Sequence, residues 1–253
     1  MTRRRLPLIA ALAATAAAAA PATTAAAESA GPLRAAGVHG PYGHERLSDE
    51  RTLTRIGYPT LLYRIRSAPG KQHRVTGKLR FYTEDRAPEN YLVLRSTIGS
   101  NGKPWLQIRV PRRPNGSKGW VPAPALQIRT LKTQLEIDKS RQTAWLRKNG
   151  EKIWRSPVGI GAPGTPTPAG RFWVRERLRN LGGSPIYGPW AFGTAAYSTL
   201  SDWPGGGVVG IHGTNAPGLI PGRPSHGCIR VRNDKILKLD KLMRVGTPIW
   251  IHR

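Results

Sequence analysis

The clearest chemical signal in this sequence is a single cysteine with two histidines near it. Cys228 lies in the run Ser225-His226-Gly227-Cys228-Ile229-Arg230, and His212 lies sixteen residues before it in Ile211-His212-Gly213-Thr214. A thiol becomes a strong nucleophile when a nearby imidazole takes its proton or stabilises the thiolate, which lowers the thiol pKa. The spacing therefore predicts nucleophilic catalysis by Cys228, with His212 and His226 as the two candidate bases.

Two other interpretations of these residues remain open. A lone cysteine beside a hydrogen-bonded histidine can be a buried and inert core residue. One cysteine and two histidines could also supply three zinc ligands, but the usual paired spacing is missing and no carboxylate lies close in the sequence. We therefore expect no metal and no cofactor.

The two histidine segments together resemble the signature of the L,D-transpeptidase catalytic domain, also called the YkuD domain. Two further stretches resemble the same family, 161–172 with its Gly, Thr and Pro residues, and the final Gly246-Thr247-Pro248-Ile249. The resemblance covers residues 128–253. It implies a β-rich catalytic domain that acts on the stem peptides of peptidoglycan.

The resemblance also implies a role for each residue of the motif. Cys228 attacks a peptide carbonyl, His212 serves as general base and acid, and the carbonyl of Gly213 orients that imidazole. The backbone amides of Gly227 and Cys228 form the oxyanion hole. His226 supports the site from beside the thiol.

Substrate contacts are expected from Arg230 and Ser225. An arginine is always charged and can bind a stem-peptide carboxylate with two parallel hydrogen bonds, although a strand-face ion pair is an equal alternative for Arg230. Many family members carry Asn at this position, which leaves the acceptor geometry open.

The reaction implied by the family has two halves. The thiolate displaces the terminal D-alanine of a tetrapeptide stem and leaves an acyl-enzyme at the third residue, and an amine of a neighbouring stem then resolves the thioester into a cross-link. If water resolves it, the enzyme is an L,D-carboxypeptidase. A noncatalytic wall-binding protein with an inert Cys228 is the alternative outside enzymes.

Short alternating runs predict the strands that position this motif. In the catalytic part we expect strands at 131–138, 143–148, 151–155, 170–175, 208–212 and 248–252. A short helix should follow the nucleophile, with Asn233 as its N-cap and with Ile236, Leu239 and Met243 on its apolar face. The predicted fold class is thus mainly β.

The region before residue 128 has its own β pattern. Residues 61–127 predict a small SH3-like β-barrel with strands at 61–66, 78–83, 91–98 and 105–110, and the pair Gly119-Trp120 near its end resembles the closing strand of such a barrel. Residues 28–60 are predicted to be a flexible lead-in. If this region serves mainly to bind the wall, removing it should reduce wall retention more than turnover.

Targeting and charge indicate the compartment and the partners. Residues 1–27 resemble a signal peptide, with three arginines, an alanine-rich apolar stretch and a small-residue cleavage site. We therefore expect a secreted protein of the cell wall or periplasm-equivalent space, with no integral membrane segment after cleavage. The formal net charge of +26 predicts binding to anionic wall polymers, and since no nucleic-acid-reading motif is present, nucleic acid is not an expected partner.

Overall fold

The chain folds mainly into β-strands, which confirms the predicted fold class. The structure is a computed structural model, and it describes residues 44–179, 183–202 and 204–253. The predicted signal peptide and residues 28–43 of the predicted lead-in lie outside the described residues. Within the described ranges, no helix has the length and apolar character needed to cross a membrane.

An eight-stranded sheet forms the first half of the described chain, in the order β4-β3-β7-β6-β5-β2-β8, with β1 paired to β5. Its core contains Leu106 and Ile108, the alternating residues that predicted β6. The strands are β1 His44–Arg46, β2 Thr54–Pro59, β3 Arg64–Arg66, β4 Val75–Lys78, β5 Tyr91–Ile98, β6 Pro104–Arg109, β7 Lys118–Pro122 and β8 Leu126–Leu131. The SH3-like character of this region stays a prediction.

Two expectations for this half are wrong. The lead-in was expected to be flexible through residue 60, but β2 pairs with both β5 and β8, and Ile56 is buried. The strand expected at 78–83 is absent, since the chain bends there and β4 lies earlier. Phe81 and Tyr82 are exposed, so the apolar residues that suggested a strand here do not pack into the core.

A ten-stranded mixed sheet forms the second half, in the order β11-β10-β9-β18-β13-β14-β15-β17-β12-β16. Its strands are β9 Thr133–Asp138, β10 Thr143–Lys148, β11 Glu151–Pro157, β12 Gly159–Gly161, β13 Gly170–Arg179, β14 Trp190–Tyr197, β15 Val208–His212, β16 Gly222–Ser225, β17 Ile229–Arg230 and β18 Pro248–His252. The parallel pairing of β15 with β17 brings the two halves of the cysteine motif together.

The helix α1, Asn233–Leu242, follows the nucleophile as predicted. Ile236 and Leu239 are fully buried in the core of the second sheet. The prediction that Asn233 is the N-cap is wrong, because Arg232 holds that position without a side-chain cap. The side chain of Asn233 instead accepts a hydrogen bond from the amide of Thr214, at 2.8 Å. It is therefore engaged with the loop that follows His212.

A buried ion pair joins the two sheets. Arg175 of β13 is 1% exposed and bonds both carboxylate oxygens of Glu89, whose side chain is 0% exposed, just before β5. Next to this pair, the indole of Trp173 donates to the carbonyl of Asn90 at 3.2 Å, and Asn90 donates back to the carbonyl of Arg175 at 2.7 Å. The first sheet is thus docked on the second through desolvated polar contacts.

We predict that Glu89→Gln lowers the free energy of unfolding by about 3 to 5 kcal/mol, because it removes the buried countercharge of the Arg175 guanidinium and leaves only the exposed Glu84. The matched control is Glu84→Gln. Glu84 binds the same guanidinium but its side chain is 57% exposed, so the cost should stay under about 1 kcal/mol. Urea unfolding of the two variants checks this, and equal losses would contradict it.

Candidate active site

Strand pairing places the predicted base next to the predicted nucleophile. His212 is the last residue of β15, and its register partner on the parallel strand β17 is Arg230. Cys228 directly precedes β17, and in this parallel register it lies beside Gly210 of β15. The two residues that the sequence separates by a loop are thereby brought together on neighbouring strands.

The side chains of these two residues both approach Gly210. The amide of Gly210 donates to the sulfur of Cys228 at 3.4 Å. A methyl group built on Gly210 would lie 3.6 Å from His212 Cδ2 and 3.8 Å from Cys228 Sγ. The bare backbone at Gly210 therefore leaves space between thiol and imidazole. This residue was not predicted, although a glycine inside an apolar strand is a known sign of close backbone approach.

The imidazole of His212 is held in one orientation. It is 3% exposed, and its Nδ1 lies 2.7 Å from the carbonyl oxygen of Gly213. Since a carbonyl only accepts, Nδ1 carries the proton and Nε2 keeps its lone pair. The ring of Tyr187 packs edge-on against the imidazole with centroids 5.0 Å apart. The predicted contact between Gly213 and His212 is present.

The loop after His212 is fixed by a residue of the helix. The amide oxygen of Asn233 accepts from the amide of Thr214 at 2.8 Å. It would also lie within 2.4 Å of a methyl group on Gly213, so only glycine fits there beside Asn233. The carbonyl that orients the imidazole is therefore tied to α1.

A compact turn carries the nucleophile. The hydroxyl of Ser225 donates to the carbonyl of Cys228 at 2.6 Å and accepts from the amide of Gly227 at 3.2 Å. Thr167 closes the turn from outside, because its hydroxyl donates to the carbonyl of Gly227 at 2.8 Å and accepts from the amide of Gly161 at 2.9 Å. Thr167 was not singled out by the sequence.

Two expected roles change because of this turn. Ser225 was expected to bind substrate, but it is 3% exposed and its hydroxyl is bonded within the turn, so it shapes the backbone instead. The amide of Gly227 was expected in the oxyanion hole, but it donates to Ser225. Of the two expected oxyanion-hole donors, the amide of Cys228 is therefore the one that Ser225 does not bind.

Burial keeps both reacting groups uncharged. Desolvation lowers the pKa of His212 from 6.5 to about 4, against the opposing hydrogen bond to Gly213. Desolvation also raises the pKa of Cys228 above 9.0, although the Gly210 amide and the charge of Arg230 act in the other direction. The sequence predicted a lowered thiol pKa, and the structure has the opposite direction because the thiol is shielded from water.

The remaining predicted residues flank this pair. Arg230 is half-buried, and its Nε is a buried donor for which the described residues offer no hydrogen-bond partner. His226 is exposed. The φ of +121° at Gly227 turns the chain after His226, so His226 and Cys228 do not share a strand face. Across the described part of the chain, no group of three or more His, Cys, Asp or Glu side chains is arranged to hold a metal.

The fold and the site define a β-rich domain in which a buried thiol and a buried imidazole lie on neighbouring strands. Residues 132–251 match the family model of the L,D-transpeptidase catalytic domain. The chain is 32% identical over 124 residues to YkuD of Bacillus subtilis strain 168, covering 49% of this chain and 68% of that relative. It is 31% identical to YkuD of Bacillus licheniformis over 122 residues, or 48% and 67% of the two chains.

The chain therefore belongs to the L,D-transpeptidase (YkuD) family. Among solved structures, it is similar to the C442S mutant of the L,D-transpeptidase of Enterococcus faecium, at 28% identity and a TM-score of 0.39, over 47% of this chain. It spans about half, 49%, of the length of that protein.

The low pKa of His212 predicts an acid-sensitive fold. His212 binds a proton near pH 6.5 in the unfolded chain but only near pH 4 in the folded chain. Protonation between these two values therefore favours the unfolded chain, and the free energy of unfolding decreases as the pH falls from 6.5 to 4. A pKa displaced from 6.5 to about 4 corresponds to about 3 kcal/mol. His212→Gln should lose less stability than wild type between pH 7 and pH 4 in urea unfolding. Identical acid losses in wild type and His212→Gln would contradict the buried neutral imidazole.

Proposed function

We propose that this protein is an exported peptidoglycan L,D-transpeptidase that forms cross-links between stem peptides through an acyl-enzyme on Cys228. The observation that carries the proposal is the convergence of Cys228 and His212 over Gly210, with the Nδ1 of the imidazole held by Gly213. This arrangement leaves Nε2 available for the thiol proton. Family membership supplies the substrate class, the peptides of peptidoglycan.

The first half of the reaction forms a thioester. His212 Nε2 takes the proton of the Cys228 thiol while the sulfur attacks the carbonyl carbon of the third stem residue. The amide of Cys228 donates to the developing oxyanion, a contact of a kind worth about 2.7 to 4 kcal/mol. The bond to the terminal D-alanine then breaks, and the imidazolium gives its proton to the departing amine.

The second half transfers the acyl group. An amine of a neighbouring stem attacks the thioester and loses its proton to His212, and the sulfur departs and recovers the proton as the thiol. A new peptide bond replaces the one that was broken, so the reaction needs no nucleotide. Because the imidazole is neutral above about pH 4, it can accept the proton that begins each half of the reaction at neutral pH and return it to the leaving group at the end of that half.

Arg230 supplies the charge that this substrate requires. Its half-buried guanidinium lies close enough to affect the pKa of both His212 and Cys228, and no ion-pair partner for it is found among the described residues. A carboxylate of the stem peptide would pair with this charge. We therefore assign Arg230 to substrate binding rather than to a strand-face ion pair.

Location at the cell wall completes the proposal. The arginine-containing leader in residues 1–27 favours export, and the formal net charge of +26, which becomes +23 without the three leader arginines, favours retention on anionic wall polymers. Such attraction is screened within roughly 8 Å at physiological ionic strength, so retention should weaken with salt.

We predict that Cys228→Ala abolishes release of D-alanine from a tetrapeptide stem while the protein stays folded, since the two side chains differ little in bulk. Mass spectrometry of wild type with the peptide should find an added acyl mass on Cys228 alone. Adding an acceptor stem separates the reactions, because a cross-linked dimer supports transpeptidation and a free tripeptide without dimer supports carboxypeptidase activity. An unmodified Cys228 on folded protein would support the noncatalytic alternative.

The two histidines should differ in effect. We predict that His212→Ala lowers the rate roughly 100-fold to 10,000-fold, as expected for a general base, and raises the pH at which Cys228 reacts with a small alkylating agent. His226→Ala is the matched change on the exposed side of the turn and should alter that pH profile less. If only His226→Ala moves the profile, the two roles are reversed.

A further inference from the structure

A cleft lies between the two sheets, close to the nucleophile turn. It has a volume of about 520 Å³. The first sheet contributes the turn between β6 and β7, residues 111–116, with Arg113, Pro114 and Asn115 along one wall. The second sheet contributes two prolines, Pro166 and Pro168, and the segment 197–199. Both halves of the chain are therefore needed to form it.

Hydrogen bonds fix the 111–116 turn against the second sheet. The guanidinium of Arg113 donates to the carbonyls of Ser198, Leu200 and Gly206 at 3.1, 2.9 and 2.9 Å. Asn115 and Tyr197 bond each other twice, from Nδ2 to the Tyr197 carbonyl at 2.8 Å and from the Tyr197 amide to Oδ1 at 3.0 Å. The wall is thus built before any ligand arrives, which lowers the entropic cost of binding.

The cleft adjoins the thiol. Ser198 lies against the nucleophile turn, because a methyl group on Gly227 would be 3.0 Å from its Cβ. Tyr197 is the register partner of Val208, two residues before Gly210 on β15, and the amide of Gly210 contacts the sulfur. Two residues of a strand span about 7 Å, and each step between neighbouring strands adds about 5 Å, so Tyr197 lies farther from the thiol than Ser198 does. Since Ser198 lies against Gly227, the residue before Cys228, a group beside Ser198 is about two peptide units from a carbonyl at Cys228.

The lining suits a peptide that carries a carboxylate. The prolines and the ring of Tyr197 offer apolar contact, and Arg113 lies over that ring at 4.9 Å. A guanidinium has five N–H donors. Three of the donors of Arg113 bond backbone carbonyls, which leaves two donors for a ligand among the hydrogen bonds of the described residues. No carboxylate lines the described cleft to compete for them.

We propose that this cleft is a substrate subsite, in which Arg113 of the first sheet binds a carboxylate of the stem peptide one residue before the acylated position. The inference rests on the proposed function for the identity of the peptide. It also revises the expectation that the region before residue 128 serves wall retention rather than turnover, since one wall of the subsite comes from that region.

Binding to the Cys228→Ala protein tests the subsite independently of catalysis. The probe is a synthetic tetrapeptide that ends in D-alanine and carries a carboxylate at its second residue, measured by calorimetry. Thr199→Trp fills the cleft from an exposed lining position that is outside the Arg113 and Asn115 contacts. The control, Ser100→Trp, lies in the exposed turn at the other end of β6, about 20 Å away.

We expect Thr199→Trp to raise Kd at least tenfold and Ser100→Trp to change it less than twofold. Equal affinities in the two variants, or no binding to either, would overturn the subsite. Retained binding with no D-alanine release by the protein that keeps Cys228 would instead overturn the proposed function.

A second comparison tests Arg113 itself. The same peptide with its second-residue carboxylate amidated should bind about tenfold more weakly than the free acid when Arg113 is present. Arg113→Gln should remove this difference, whatever it does to the absolute affinity. If Arg113→Gln still binds the free acid more tightly than the amide, another cationic side chain binds the carboxylate. That result would overturn the assignment of Arg113.

Discussion

One hydrogen bond, from His212 Nδ1 to the carbonyl of Gly213, determines how the whole site can work. It is 2.7 Å long and buried, so it sets the tautomer and directs Nε2 away from the backbone. That carbonyl can face the ring because Asn233 holds the amide of Thr214. A strand end, a loop and the start of α1 therefore act as one support for a single proton acceptor.

Burial changes the pKa values of His212 and of the neighbouring Cys228. Removing water lowers the pKa of His212 and raises that of Cys228, so the resting pair is a neutral thiol and a neutral imidazole. In the reaction that we propose, charge separation occurs only with a bound substrate, whose carbonyl accepts the electrons as the proton moves. Arg230 partly offsets the cost of the thiolate because its charge lowers the thiol pKa.

The sequence predicted the parts of the fold whose apolar residues alternate or recur regularly. β5, β10, β15 and β18 have the predicted bounds. The strand β14 was not predicted, because its buried residues are mostly small, as in Phe192-Gly193-Thr194-Ala195-Ala196. There Gly193 is required by contact, since a methyl group would lie 2.4 Å from a carboxylate oxygen of Glu176. Likewise, spacing left both His212 and His226 as candidate partners of Cys228, and the family resemblance indicated His212. Only tertiary contacts reveal that Ser225 and Thr167 build the turn and that Arg113 reaches the cleft.

Burial should leave the folded protein with a neutral, single-tautomer imidazole at His212 and a protonated thiol at Cys228. A nitrogen-15 NMR titration of the His212 ring from pH 8 to pH 4, with thiolate absorbance followed in parallel, measures both. We expect a protonated Nδ1 and an unprotonated Nε2 down to about pH 5, with no thiolate at neutral pH. An imidazolium signal together with thiolate absorbance at pH 7 would contradict this expectation.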